Sequence, residues 1–286
     1  MDRVIELEGV DNVRDLGGLP VRGGREVERG LLFRGASLAG LTAADEAVLF
    51  GRLGVSCVID LRCGWERDAA PDRGPAAVPN LHIPFYDREK VGIEYTEGAQ
   101  AGQVVGRDVP CDPDRFYRSL ANPLTTRQMR AVVAEALERA ERGLPVYFHC
   151  SGGKDRAGIT ALLVLAVLGA EPDAVLEDYL LTNVARDRRE AENLARFTRL
   201  AGGDAARGRQ LTTAHRARPE NLRAFHEAVV ARFGGMEAFI ADELGIGPAR
   251  RDELRRRLTR PAADAASVHV SAREAAVPDW EPALAL

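Results

Sequence analysis

Residues 157–168 (AGITALLVLAVL) present apolar side chains on every side of a helix, so this helix must lie in the middle of a folded unit rather than on its surface. A short apolar segment, residues 145–148 (PVYF), comes shortly before it and reads as a strand. Between the two runs His149-Cys150-Ser151-Gly152-Gly153-Lys154-Asp155-Arg156. A buried strand, a turn with glycine and a buried helix in immediate succession call for an α/β sheet flanked by helices. The turn then falls at the carboxyl end of a strand, where such sheets bind ligands.

The rest of the chain fits around that unit. The first 30 residues are rich in glycine turns, and residues 31–33 read as a strand end. Thr42 and Asp45 have the spacing of a helix N-cap leading into residues 46–53. Residues 55–61 (VSCVIDL) read as a buried strand and 81–85 as a second one. Residues 126–142 carry apolar positions at helical spacing, and Gly143 ends that helix. Further helices are expected at 171–182, 190–200, 221–233, 236–244 and 250–258. Residues 91–125 are rich in Gly, Pro and Asp and are expected to form a mobile lid or insertion with one short helix near Phe116 and Tyr117. The expectation is one domain over residues 1–260, followed by a disordered tail over 261–286, where Ala, Asp, Ser and Pro dominate.

Charge and cysteine usage exclude several classes. A formal net charge of −4 gives no basis for nucleic-acid binding. The N-terminus, MDRVIELEGV, has no long apolar run, and the longest apolar stretch, residues 159–168, is too short to span a bilayer. A cytoplasmic protein without stable membrane insertion is expected. Cys57, Cys63, Cys111 and Cys150 form no CxxC pair, so neither a structural zinc site nor a disulfide framework is expected, and no metal or cofactor is implied.

The turn carries the chemistry. Backbone N–H groups of such a loop, with the helix dipole behind them, converge on an anion. Arg156, six positions after Cys150, can clamp two phosphate oxygens with its planar guanidinium. The same donors favour a Cys150 thiolate, which can attack phosphorus and form a cysteinyl phosphate that water later hydrolyses. Gly152 and Gly153 supply backbone freedom, and His149 is expected to hold the loop by hydrogen bonds. Only two of the 39 basic residues are lysine, Lys90 and Lys154, so a lysine inside the loop asks for a specific reason.

These residues resemble the signature of the protein tyrosine phosphatase superfamily, and in particular its bacterial branch whose loop reads Cys-x-x-Gly-Lys-Asp-Arg. The resemblance extends to Asn12-Val-Arg-Asp-Leu-Gly-Gly18, Phe33-Arg-Gly-Ala-Ser37, Val58-Ile-Asp-Leu-Arg62 with Glu66, Asp178-Tyr-Leu-Leu-Thr-Asn183 and Phe233-Gly-Gly-Met-Glu-Ala-Phe239 with Leu244-Gly245. It implies a tyrosine phosphatase-like fold and hydrolysis of phosphotyrosine in proteins, with phosphoinositides as further substrates. It also implies a general acid, for which Asp87 matches the branch and Asp155 is the rival. Lys154 either reaches a second phosphate or pairs with Asp155. Ser151 and Ala157 complete the loop's binding positions. Ala157 departs from the usual Thr or Ser, and the missing hydroxyl bears on breakdown of the phosphoenzyme. Arg14, with Asp15, reads as steadying the loop or the substrate, or as an ion pair. Asp60 and Arg62 read as binding candidates or as organisers of a strand end. Cys63 reads as a reduced thiol or as a partner for Cys150 under oxidation. The alternatives are a phosphate-binding protein without turnover, supported only by Ala157, and sulfur or arsenate chemistry, which Gly-Lys-Asp-Arg disfavours.

Overall fold

A computed structural model of the chain describes residues 3–86 and 113–262. The strands are β1 (Arg14–Asp15), β2 (Pro20–Val21), β3 (Arg25–Val27), β4 (Leu32–Gly35), β5 (Cys57–Asp60), β6 (Asn80–His82), β7 (Val146–His149) and β8 (Thr259–Pro261). The helices are α1 (Ala43–Glu46), α2 (Gly64–Ala69), α3 (Pro113–Leu120), α4 (Pro123–Glu141), α5 (Asp155–Leu168), α6 (Pro172–Asp187), α7 (Glu190–Leu200), α8 (Ala205–Ala214), α9 (Pro219–Phe233), α10 (Met236–Ala238) and α11 (Pro248–Leu258). Wider π-helical turns continue α1 over Ala47–Arg52 and α10 over Phe239–Glu243.

The main sheet has the order β1-β4-β7-β5-β6, and all its pairs are parallel except β1 with β4. β2, β3 and β8 form a small antiparallel sheet. Alternation along the central strands builds two apolar layers. Leu32, Cys57, Ile59, Val146 and Phe148 face the larger core with α4 and α5. Phe33, Val58 and Tyr147 face a smaller one with Val10, Val13 and Leu49. Every residue of α5 from Arg156 to Leu168 is buried, as its sequence demands. Each fully buried Leu, Ile or Val there contributes about 1.5–3 kcal/mol relative to exposure. In register, Gly35 and Asp60 both pair with His149, so three parallel strands end together and present their next residues at one edge.

Several boundaries differ from expectation. α8 was not expected: only Gly208 and Leu211 of its residues are buried, too few to print a periodic pattern. The segment expected as an insertion ends inside the packed protein, since α3 and the start of α4 bury Tyr117, Leu120, Ala121 and Thr125. Residues 91–112, the remainder of that segment, lie outside the described residues. Order runs past residue 260: Pro261 pairs with Arg25, and the Ala262 amide donates to the Gly24 carbonyl at 3.0 Å. The rest of the expected tail lies outside the described residues. Among the described residues, no helix is long and apolar enough to cross a membrane.

Candidate active site

β7 ends at His149 and α5 begins at Asp155, so the loop between them, Cys150 to Lys154, is only five residues long. Its shape is set from behind. The Ser37 amide donates to the Ser151 carbonyl at 3.3 Å, and Asn12 Nδ2 to that of Gly152 at 3.0 Å. Arg34 Nη2 donates to the carbonyls of Gly153, at 2.8 Å, and Lys154, at 3.3 Å. In a trans peptide the N–H points opposite the C=O. Four successive carbonyls fastened to these braces therefore turn the N–H groups of Gly152, Gly153, Lys154 and Asp155 away from the braces, as an anion cradle requires.

Gly153 has φ +69° and lies so close to β4 that a Cβ would sit 2.5 Å from the Gly35 carbonyl carbon, so only glycine fits. Gly152 differs from expectation: its backbone is ordinary and a Cβ there would meet nothing within 4 Å.

The braces converge on Asp178. Its carboxylate accepts from Arg14 Nε at 3.1 Å, Arg34 Nη1 at 2.7 Å and Arg3 Nη1 at 2.9 Å. Burial works against its charge, yet the three arginines hold its carboxyl well below the usual carboxylate range. Arg14 also donates to Asn12 Oδ1 at 2.6 Å. Asn12 sits in the left-handed region at φ +62° and turns its side chain onto the loop. Arg14 is thus a buried brace rather than a substrate contact, because all its donors face Asn12, Asp178 and Thr182. Asp15 caps two turns, accepting from the amides of Gly17 and Gly30 at 2.8 Å each.

Arg156 leaves the first turn of α5 and meets Glu66 of α2 in a two-pronged ion pair, Nη1–Oε2 at 2.5 Å and Nη2–Oε1 at 2.8 Å. Ser151 Oγ donates to Glu66 Oε1 at 2.5 Å, and the Cys63 amide to Oε2 at 2.9 Å. Burial opposes the charge on Glu66, but Arg156 and these donors hold its pKa down at about 2. The Tyr86 ring lies 5.5 Å from the Arg156 guanidinium carbon. Cys150 is 2% exposed, at the closed end of the loop. Ala157 and Thr160 are fully buried behind it, and Thr160 donates to the Arg156 carbonyl at 3.0 Å.

Asp60 and Arg62 organise the strand end and do not face the loop's mouth. Arg62 Nη2 lies 2.8 Å from Asp60 and 3.0 Å from Asp72. His149 Nε2 lies 3.0 Å from Asp72, and its Nδ1 lies 3.1 Å from the Cys150 carbonyl. Burial would raise the pKa of Asp72, but His149 and Arg62 hold it down at about 2. Asp60, Asp72 and His149 have ligand atoms within 4.8 Å of one another, and Arg62 already places its cation against both carboxylates.

Lys154 is turned aside. Its Nζ donates to the His215 carbonyl at 2.9 Å and lies 3.2 Å from Asp155 Oδ1. Tyr117 Oη donates to the same Asp155 oxygen at 2.5 Å. Burial raises the Asp155 pKa, but Lys154, Tyr117 and His215 together bring it below the ordinary value. Asp155 is therefore set to accept hydrogen bonds rather than to release a proton at neutral pH. Asp87 lies outside the described residues, one position past Tyr86. Cys57, Cys63 and Cys150 are buried, and Cys63 Sγ donates to the Tyr86 carbonyl at 3.3 Å. Reading the sequence assigned no role to Glu66, Asp72, Asp178, Arg34 or Asn12; the one available signal was that four of these lie in blocks of the resemblance.

The model of the tyrosine phosphatase family matches residues 5–260. A provisionally named tyrosine-protein phosphatase, H16_A0669 of Cupriavidus necator, is 30% identical over 250 residues, 86% of either chain. The triple specificity protein phosphatase PtpB of Mycobacterium tuberculosis is 28% identical, over 88% of this chain and 98% of its own. Among solved structures, P. aeruginosa TpbA aligns with a TM-score of 0.31 and 20% identity, covering 69% of this chain and 97% of its own, a likeness too slight to carry an argument. With a family model spanning nearly all the described residues and the signature loop in place, this chain belongs to the tyrosine phosphatase family.

Proposed function

We propose that this chain hydrolyses phosphotyrosine in proteins through a cysteinyl-phosphate intermediate on Cys150. The observation that carries the reading is the bracing of the carbonyls of residues 151–154 from behind, with Arg156 held by Glu66 at the far end of the same loop. The amides and Arg156 bind the phosphate oxygens. The Cys150 thiolate attacks in line, the P–S bond forms as the P–O bond to the tyrosine breaks, and the leaving oxygen takes a proton. Asp87 is the acid assigned here, since Asp155 is held as a carboxylate. Water then cleaves the P–S bond. Ala157 supplies no hydroxyl to assist that second step, so we assign phosphoenzyme breakdown as the slow one.

Phosphoinositide hydrolysis is the finer reading. It rests on the resemblance of the loop and on Lys154, whose ammonium would have to leave Asp155 and the His215 carbonyl to reach a second phosphate. Binding without turnover has only Ala157 in its favour.

The test is a panel of phosphotyrosine, phosphoserine and phosphoinositide substrates with purified protein and chelator. Turnover of phosphotyrosine, with little on phosphoserine, is expected. Binding without release of phosphate would reject the reading.

A further inference from the structure

Lys154 is engaged, so the cations that remain without partners near the loop lie elsewhere. Phe197 of α7 is buried, and two guanidiniums lie over its ring: the carbon of Arg186 is 5.7 Å and that of Arg196 5.8 Å from the centroid. The cluster joins the signature loop by one step, because the His215 ring lies 4.5 Å from Phe197 and the His215 carbonyl holds Lys154. Neighbouring arginines are paired: Arg188 with Glu6, Arg189 with Asp11 at 2.7 Å, and Arg216 with Asp187 at 2.5 Å. Arg186 and Arg196 enter no ion pair among the described residues. Arg196 is exposed, while Arg186 is half-buried and its Nη2 is shut from solvent with no hydrogen-bond partner among the described residues. A buried donor without a partner costs free energy that an arriving oxygen would recover. Burial lowers the pKa of Arg186, Arg196 and Arg216 press it the same way, and the carboxylates of Asp155 and Asp187 oppose them.

We propose that Arg186 and Arg196, stacked on Phe197 beside the signature loop, form a second anion-recognition site that receives a carboxylate side chain flanking the phosphotyrosine of a peptide substrate. The proposal rests on the phosphotyrosine reading above. Stacking on an aromatic ring holds the guanidiniums in place before the ligand arrives, and their planar forks match a carboxylate. An anionic bilayer is an extended surface that would meet the chain's net charge of −4 as a whole, whereas a short peptide meets only the arginines within about 10 Å of it, which favours a peptide over a lipid headgroup as the source of the second anion.

The test uses full-length Cys150→Ser protein and two fluorescent phosphotyrosine peptides, one flanked by glutamates and one by alanines, with binding read by anisotropy. The acidic peptide should bind about tenfold tighter. Adding Arg196→Ala or Arg186→Gln should bring the ratio of Kd values near one, Arg196→Lys should keep part of the preference, and raising salt should weaken it. If Arg186→Gln does not fold, the exposed Arg196 carries the test. Equal affinity for the two peptides in Cys150→Ser protein, or a ratio untouched by either arginine substitution, would overturn the proposal. So would arginine-dependent binding of a soluble inositol bisphosphate with no preference between the peptides. Hydrolysis of p-nitrophenyl phosphate by the wild type is scored separately: its absence would count against the phosphatase reading, while the Kd ratio would still decide this one.

Discussion

Glu66 Oε2 lies 2.5 Å from Arg156 Nη1, and that ion pair ties α2 to the signature loop across 90 residues of chain. It fixes the plane of the guanidinium before substrate arrives, so Arg156 need not be ordered during the reaction. Glu66→Gln keeps the shape and removes the charge. Its kcat on an aryl phosphate should fall by about ten- to a hundredfold, in line with loss of a positioned transition-state contact. The pair also sets an acid limit. The carboxyl's pKa is about 2 in the folded chain against an ordinary 4.5, so the stability it contributes is fully present above the higher value and is lost as pH falls toward the lower. Melting curves of wild type and Glu66→Gln should therefore converge as pH is lowered through that window. Parallel curves would show that the ion pair contributes nothing.

Asp178 is the next test. It balances three arginines inside the protein, two of them 1% exposed. Asp178→Asn leaves buried cations without compensation, at a cost of about 3–5 kcal/mol, and should lower the melting midpoint by on the order of ten degrees. Asp187→Asn, which breaks an exposed pair with Arg216, should change it little. Equal effects would mean that the Asp178 network does not brace the loop.

The contrast between these residues and the loop shows what a sequence makes legible. The strand, turn and helix over residues 145–168 were readable because their pattern is local: apolar run, glycines, a cysteine and arginine at fixed spacing, then an apolar helix. Glu66 and Asp178 were not, because a carboxylate's partner 90 or 144 residues away leaves no trace in spacing. Arg14 could be read as touching substrate or as a brace for the same reason. Lys154 stood out by composition, but its engagement by the His215 carbonyl depends on where α8 ends, and α8 itself has too few buried residues to be read as a helix.

Lys154 gives the third prediction. Its two contacts, with Asp155 and the His215 carbonyl, lie inside the protein and not at a substrate. Lys154→Ala should lower kcat/KM for phosphotyrosine and for any phosphoinositide that the wild type hydrolyses by similar factors, about tenfold each, through loss of loop order. A selective loss on the phosphoinositide would mean that the ammonium leaves these partners to hold a second phosphate.

The central claim is that Cys150 accepts the phosphoryl group, and rapid acid quenching during turnover of a labelled aryl phosphate tests it most directly. The account predicts label on the peptide that contains Cys150, accumulating early because breakdown is slow, and no label or turnover in Cys150→Ser. Label on another residue, or turnover that persists in the serine variant, would contradict it.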